Sequence, residues 1–436
     1  LNFKQVLQWI KQNPIAVGST VVCLVSLVFL LIVRSNGNSM IEDAATRSNE
    51  IKRIDGYRST PMRLPPEKVD AGARVVSGVV NKSAIEYLKN VFGQMQGDYS
   101  QIRDLAIKHN QGDATRGMHL PIIEGLFPDP GFREFILYDA RQPYLAAFKE
   151  MLSPAAEGAQ YPRLNAGSPV SKMRMDEVVA PLERNLRSRY GLMANQSLTP
   201  TQQAELSREQ RAATLDLLRQ NALSIHIYAG SSAFQEDVWA AKPSIENIWE
   251  SQLNLWIQQD IVQTIARTNR VSDPNFNVII TPVKRLNSIK VVQGYVGINS
   301  GGGMSTHGGY GQVASAETKL PDDFSIASSG RLSNTIYDVK HVWVDMDIDL
   351  QLMPSFMDEL VQTNFMTVLK MEMTDVDEYK LLSEGYFVGS ADVVNVKMLV
   401  ETLWLRAWVS PMMPQRIRQL IGVPELTSGS PTALAQ

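Results

Sequence analysis

The chain has 436 residues, 42 basic and 45 acidic, for a formal net charge of −3. That length allows roughly two or three ordinary domains, and the near-balanced charge lacks the basic footprint of a nucleic-acid binder. The single cysteine, Cys23, sits inside an apolar run, which excludes an intramolecular disulfide and a thiolate metal site.

From the N-terminus, residues 1–14 form a short tail. Ile15–Val33 follows as nineteen residues without a charge. At about 1.5 Å per residue this run just crosses a hydrocarbon core of about 30 Å, and it is longer than the apolar core of a cleaved signal peptide. It reads as a transmembrane helix. Lys4 and Lys11 on one side nearly balance Arg34 and Arg47 on the other. The short tail then favours an N-terminus on the cytoplasmic side and an exported bulk.

Residues 34–110 read as a helical or coiled-coil stalk. Asn36–Asn38 is a polar break, and Met40–Tyr57 is a polar helix with sparse apolar positions, ended by Pro61, Pro65 and Pro66. In Val79–His109 the apolar residues Ile85, Leu88, Phe92, Met95, Tyr99 and Ile102 recur at three- and four-residue steps, the seam of a coiled coil or helical hairpin. These six are the candidate partner contacts.

Residues 111–243 read as a helical insertion. Gln111–Pro130 is a loop, and Phe132–Leu152 and Met173–Met193 are helices. Thr199 caps a third helix, with Pro200 at its first position and Gln202 completing a capping box. Ser224–Tyr228 alternates like a short strand.

Residues 244–424 carry the clearest periodicities. Ser244 caps an amphipathic helix with the stripe Ile245, Ile248, Trp249, Leu253, Trp256, Ile257, Ile261 and Ile265. Asn277–Gly297 is strand-like, and residues 298–334 form a Gly/Ser-rich loop. In Asp338–Leu352, Val342, Val344, Met346, Ile348, Leu350 and Leu352 face one side, while His341, Trp343, Asp345, Asp347, Asp349 and Gln351 face the other. Pro354 opens a short helix, Phe365–Thr374 is a strand, and Val393–Val409 is a long strand on which Trp404 and Trp408 share a face. Residues 425–436 read as a disordered tail. The order helix–strand–strand–helix–strand–strand defines an α+β chain whose C-terminal part is a circularly permuted ferredoxin-like plait, αββαββ.

The chemistry in the sequence is sparse. His341, Asp345, Asp347 and Asp349 share a strand face, but Leu350 and Phe356 stand where a calcium loop needs glycine and glutamate. The glycines between Gly301 and Gly311 lack the lysine and helix of a phosphate cradle. His109, His119, His226 and His307 are scattered, and no nucleophile elbow occurs. No catalytic residue, cofactor or metal is expected, and no small-molecule substrate. Trp343, alternating with polar residues, is a candidate contact anchor.

A short tail, one span, a stalk and a terminal αββαββ domain together resemble the PilO and GspM-type inner-membrane assembly proteins of type IV pilus and type II secretion systems. The segments carrying the resemblance are Ile15–Val33, Ser39–His109, Ser244–Gly297, Asp338–Leu352 and Pro354–Val409. It implies a non-enzymatic scaffold, single-pass in a bacterial inner membrane with its bulk periplasmic. It also implies a stalk and plait that form a homodimer, or a heterodimer with another bitopic plait protein. The chain departs from that pattern by its length and by the 111–243 insertion. A membrane-anchored periplasmic ligand-binding or sensory protein, using the insertion and the Gly-rich loop, is the alternative.

Overall fold

A computed structural model describes residues 10, 13–59, 62–64, 74–76, 82–112, 118–131, 135–156, 158–237, 242–298 and 327–423. The chain divides into two compact units, Leu1–Gln101 and Ile102–Gln436.

In the first unit, helix α1 (Pro14–Ser59) runs 46 residues without interruption. Its segment Pro14–Arg34 is long and apolar enough to cross a membrane. The expected break at Asn36–Asn38 is absent: the backbone stays helical through Gly37, where a polar sequence without proline satisfies its own hydrogen bonds. Strands β1 (Met62–Leu64) and β2 (Arg74–Val76) pair antiparallel. Pro61, Pro65 and Pro66 lie outside the described residues. Helix α2 (Lys82–Gln111) begins in this unit and ends in the next.

The second unit is built on a mixed six-stranded sheet. Its elements are α3 (Ile136–Asp139), α4 (Arg141–Leu152), β3 (Ala166–Gly167), α5 (Lys172–Arg189), α6 (Pro200–Leu223), β4 (Ile227–Tyr228), α7 (Ile245–Thr268), β5 (Val283–Val291), β6 (Tyr337–Asp349), α8 (Met353–Thr363), β7 (Met366–Asp375), α9 (Glu378–Ser383), β8 (Val393–Leu405), α10 (Arg406–Val409) and α11 (Gln415–Leu420). The strand order is β3-β4-β5-β6-β8-β7. β3, β4 and β5 run parallel, and the remaining pairings are antiparallel.

The insertion is therefore not wholly helical. β3 and β4 extend the sheet at β5, and the stretch read as one helix over Phe132–Leu152 contains two short ones, α3 and α4. The Thr199 cap does form: its side chain accepts from the Gln202 amide, and the Gln202 side chain accepts from the Thr199 amide. α5 and α6 lie against one another, tied by Arg189 to Glu205 and Glu209.

Helices α7 and α8 pack together over one face of the sheet, against Val342, Val344, Met346 and Ile348 of β6 and Val396, Met398 and Val400 of β8. α7 is not the half-exposed amphipathic helix its stripe suggests. Between Ile248 and Ile265 it is buried nearly all round, Gln252, Gln258 and Asp260 included. The loop at 119–127 and helix α4 cover its far side. Its polar positions are therefore satisfied by protein: Ile122 donates its amide to Gln252 and Gln235 donates its amide to Gln258. Trp249 and Trp256 are fully buried there, each contributing roughly 2–3 kcal/mol of apolar burial.

A second, smaller core forms on the opposite sheet face from Ala222, Ile225, Tyr228, Val278, Leu381, Val388 and Val393. Gly385 makes its loop closure feasible: φ is +92° and a Cβ there would lie 2.0 Å from the Val170 carbonyl oxygen. Helix α9 is capped by Asp377, which accepts from the Tyr379 and Lys380 amides. β6 ends at Asp349, so Leu350 and Leu352 lie in a half-exposed turn and not on the inner face. β8 ends at Leu405. Trp408 belongs to α10, where the chain bends back over the core.

Candidate interaction surfaces

The stalk stripe is exposed. Ile85, Phe92, Met95, Tyr99 and Ile102 on α2 are 44% to 67% exposed, and Leu88 is partly exposed. An isolated helix leaves such a row of side chains in water at a free-energy cost.

The last turn of α2 is different. Asn110 is completely buried, with its Nδ2 donating to the Asn364 side chain at 2.9 Å and to the Leu403 carbonyl at 2.8 Å. Its Oδ1 accepts from the Leu405 amide at 2.8 Å and the Trp408 indole at 2.7 Å. His119 stands beside it, with Nδ1 3.0 Å from the Asn110 carbonyl and Nε2 2.8 Å from the Asp260 carboxylate. Asn364 donates to the other Asp260 oxygen at 2.7 Å. Trp256, Trp404 and Trp408 enclose the imidazole. The group has the look of a catalytic cluster, but every member is buried and committed to another. Its role is to fasten chain segments more than a hundred residues apart.

Residues 327–334, the described end of the Gly/Ser-rich loop, are strapped to the open sheet face. Arg331 donates to Glu401 at 2.8 Å, and Ser329 donates to the same carboxylate. Burial works to raise the Glu401 carboxyl, while hydrogen bonds from His341, Ser329 and Arg331 together hold it below its usual range. Residues 299–326, with the glycines and His307, lie outside the described residues, as do 424–436.

Across the middle of this face the strands set side chains in rows. One row is Lys290, Trp343, Leu399 and Lys370; the next is Ser288, Asp345, Lys397 and Glu372. Trp343 is half-buried in its row, not freely exposed. Asp345 and Asp347 do not form a cation site. The side-chain amides of Asn287 and Asn395 each bridge both carboxylates at 2.8–3.0 Å, and Arg285 meets Asp347 at 2.8 Å. Asp347 is consequently buried on a face expected to be solvated. Among the described residues no group of three or more His, Cys, Asp or Glu is placed to hold a metal ion.

Two further charged groups are buried at opposite ends of the sheet. Burial pushes the Asp338 carboxyl up to about 6, opposed by the Arg406 guanidinium 2.6 Å away. Lys284 donates to the carbonyls of Val278 and Ile279, and burial lowers its ammonium to about 8. A cavity beside Arg141, Tyr144 and Phe148 measures about 10 Å³, the room of a single water.

No known family profile and no curated protein matches this sequence. Among solved structures, the chain matches the crystal structure of the type 4 fimbrial biogenesis protein PilO from Pseudomonas aeruginosa, at 10% identity and a TM-score of 0.19. The match covers 51% of this chain and 98% of that one.

Proposed function

We propose that the chain is a membrane-anchored assembly scaffold of the type IV pilus or type II secretion class, working through protein contacts and not through catalysis. The observation that carries this reading is the exposed stripe of α2. Ile85, Leu88, Phe92, Met95, Tyr99 and Ile102 follow one another at alternating steps of three and four residues, the spacing of coiled-coil core positions. In that frame Asp98 and Arg103 flank the seam five residues apart, the offset that pairs opposite charges between two parallel, in-register helices. Two chains held by spans in one bilayer present their stalks in the same direction, which also favours the parallel arrangement.

In this reading α1 crosses a bacterial inner membrane once, with the N-terminus cytoplasmic and the bulk periplasmic. The stalk pairs with a second copy or with another bitopic protein of the same build. The strand order β5-β6-β8-β7, with α7 and α8 on one face, supports reading this part of the sheet as a circularly permuted ferredoxin-like plait, to which the insertion adds β3 and β4.

Cysteine scanning along α2 in a Cys23→Ser background tests the stalk. Full-length chains carrying cysteine at positions 85, 88, 92, 95, 99 or 102 should cross-link, while those at 90, 94 or 101 should not. Uniform cross-linking along α2 would overturn the pairing, and absent cross-linking would overturn pairing with a second copy.

A further inference from the structure

The two edges of the sheet differ. On one side β3 and β4 are two residues each, and beyond them the Val291 amide of β5 is taken by the Gln235 side chain at 2.6 Å. Very short outer strands and side-chain plugs of this kind protect an edge from pairing. On the other side β7 is ten residues long, holds no proline, and no described strand lies beyond it.

The backbone of β7 is prepared for pairing over its second half. Leu403 donates its amide to the Phe365 carbonyl, so odd-numbered residues of β8 bond toward β7. Beyond the irregularity between Val368 and Lys370, Leu399, Lys397 and Asn395 oppose Lys370, Glu372 and Thr374. The N–H and C=O groups of Met371 and Met373 therefore turn away from β8, to the open side. Met373 is 53% exposed.

The charges on β7 choose the occupant. Lys370 and Glu372 sit on the same sheet face, one residue either side of Met371, and both are more than half exposed. An antiparallel twofold through Met371 places Lys370 of each strand opposite Glu372 of the other. Leu369 then meets Met373. A single-sign edge would repel its copy; this one complements itself. The pairing also continues the alternation already present in the row Asp345, Lys397, Glu372, with the second strand's Lys370 next in line.

We propose that β7 is a self-pairing edge, through which two copies of this chain join their sheets antiparallel about Met371. This contact is separate from the stalk pairing and does not require it.

The test uses the full-length chain in a Cys23→Ser background, reconstituted in lipid nanodiscs. Met371→Cys places two thiols across the twofold, with Cα atoms about 5.5 Å apart, and a short bifunctional thiol reagent should link them. Met373→Cys separates its two thiols by about four residue steps, roughly 14 Å, and should not link. Glu372→Lys should lower the Met371→Cys cross-linking rate about tenfold, and adding Lys370→Glu should restore it, because the exchanged charges pair again. A chain dimerised by its stalk alone gives no link at 371. No link there, equal links at 371 and 373, or failure of the charge exchange to restore the rate would each overturn the proposal.

Discussion

The side-chain oxygen of Asn110, at the end of α2, accepts the indole proton of Trp408 at 2.7 Å, across 298 positions of sequence. The same oxygen takes the Leu405 amide, at the point where β8 stops and α10 begins. One asparagine thus supplies the partner for a strand end that no further strand caps. The unit closes at this point, and His119, Asp260 and Asn364 extend the closure to α7 and α8.

Asn110→Ala removes four hydrogen bonds and leaves the Trp408 and Leu405 donors without partners in a dry interior. The loss should be roughly 2–5 kcal/mol of unfolding free energy. Urea denaturation followed by tryptophan fluorescence measures it. A loss under about 1 kcal/mol would show that water replaces the amide and that the network is not structural.

Phe92→Asp sits on the exposed stripe of α2, away from either core. It should leave the unfolding free energy in urea within about 0.5 kcal/mol of the parent, since surface changes seldom do more. It should also weaken association at least tenfold, because a charge enters a coiled-coil core position. Analytical ultracentrifugation in detergent reads the second effect. An unchanged sedimentation profile would remove the stalk from the interface.

Lys284 gives a pH dependence of defined sign. Its ammonium titrates near 8 in the folded chain, below its ordinary value of 10.5. Between those values the unfolded chain binds more protons, so this residue makes stability rise with pH across that window. Relative to Lys284→Met, the parent should gain on the order of 2–3 kcal/mol between pH 7 and pH 10.5. Denaturation of both proteins at several pH values compares them. Parallel curves would mean that the ammonium keeps its charge without penalty.

Arg331→Ala should cost roughly 1–3 kcal/mol, because it strips the fully buried Glu401 carboxylate of its cationic partner. Arg331→Ala with Glu401→Gln should recover part of that loss, since the second change removes the charge left unpaired. Thermal denaturation of the two variants against the parent decides it. Equal loss in both would assign the effect to packing.

How much of this was legible in the sequence follows from the range of each signal. The apolar run at Ile15–Val33, the Thr199 and Ser244 caps and the alternation of β6 are local patterns, and each appears at or within a few residues of the expected place. The stripe of α7 predicts an amphipathic helix; Gln252, Gln258 and Asp260 on its polar side are instead met by other segments of the chain. Trp408 continued the strand pattern of β8, and only the bend at Arg406 separates it. β3 is two residues long, too short for any periodicity. Asn110, His119, Asp260 and Asn364 form a cluster that no local pattern announces. They lie as much as 254 positions apart, and no spacing rule links them. Naming the six stalk residues takes only a helix and its three-and-four spacing, and the helix is there.

The scaffold reading is tested most directly by isolating the intact protein from its native membrane in mild detergent, with mass spectrometry of what accompanies it, beside the Phe92→Asp variant. The account predicts a second single-span envelope protein or an actin-like cytoplasmic partner in the complex, and loss of that company in the variant, whose copies stay joined through β7. A lone monomer, or identical company for parent and variant, would contradict it.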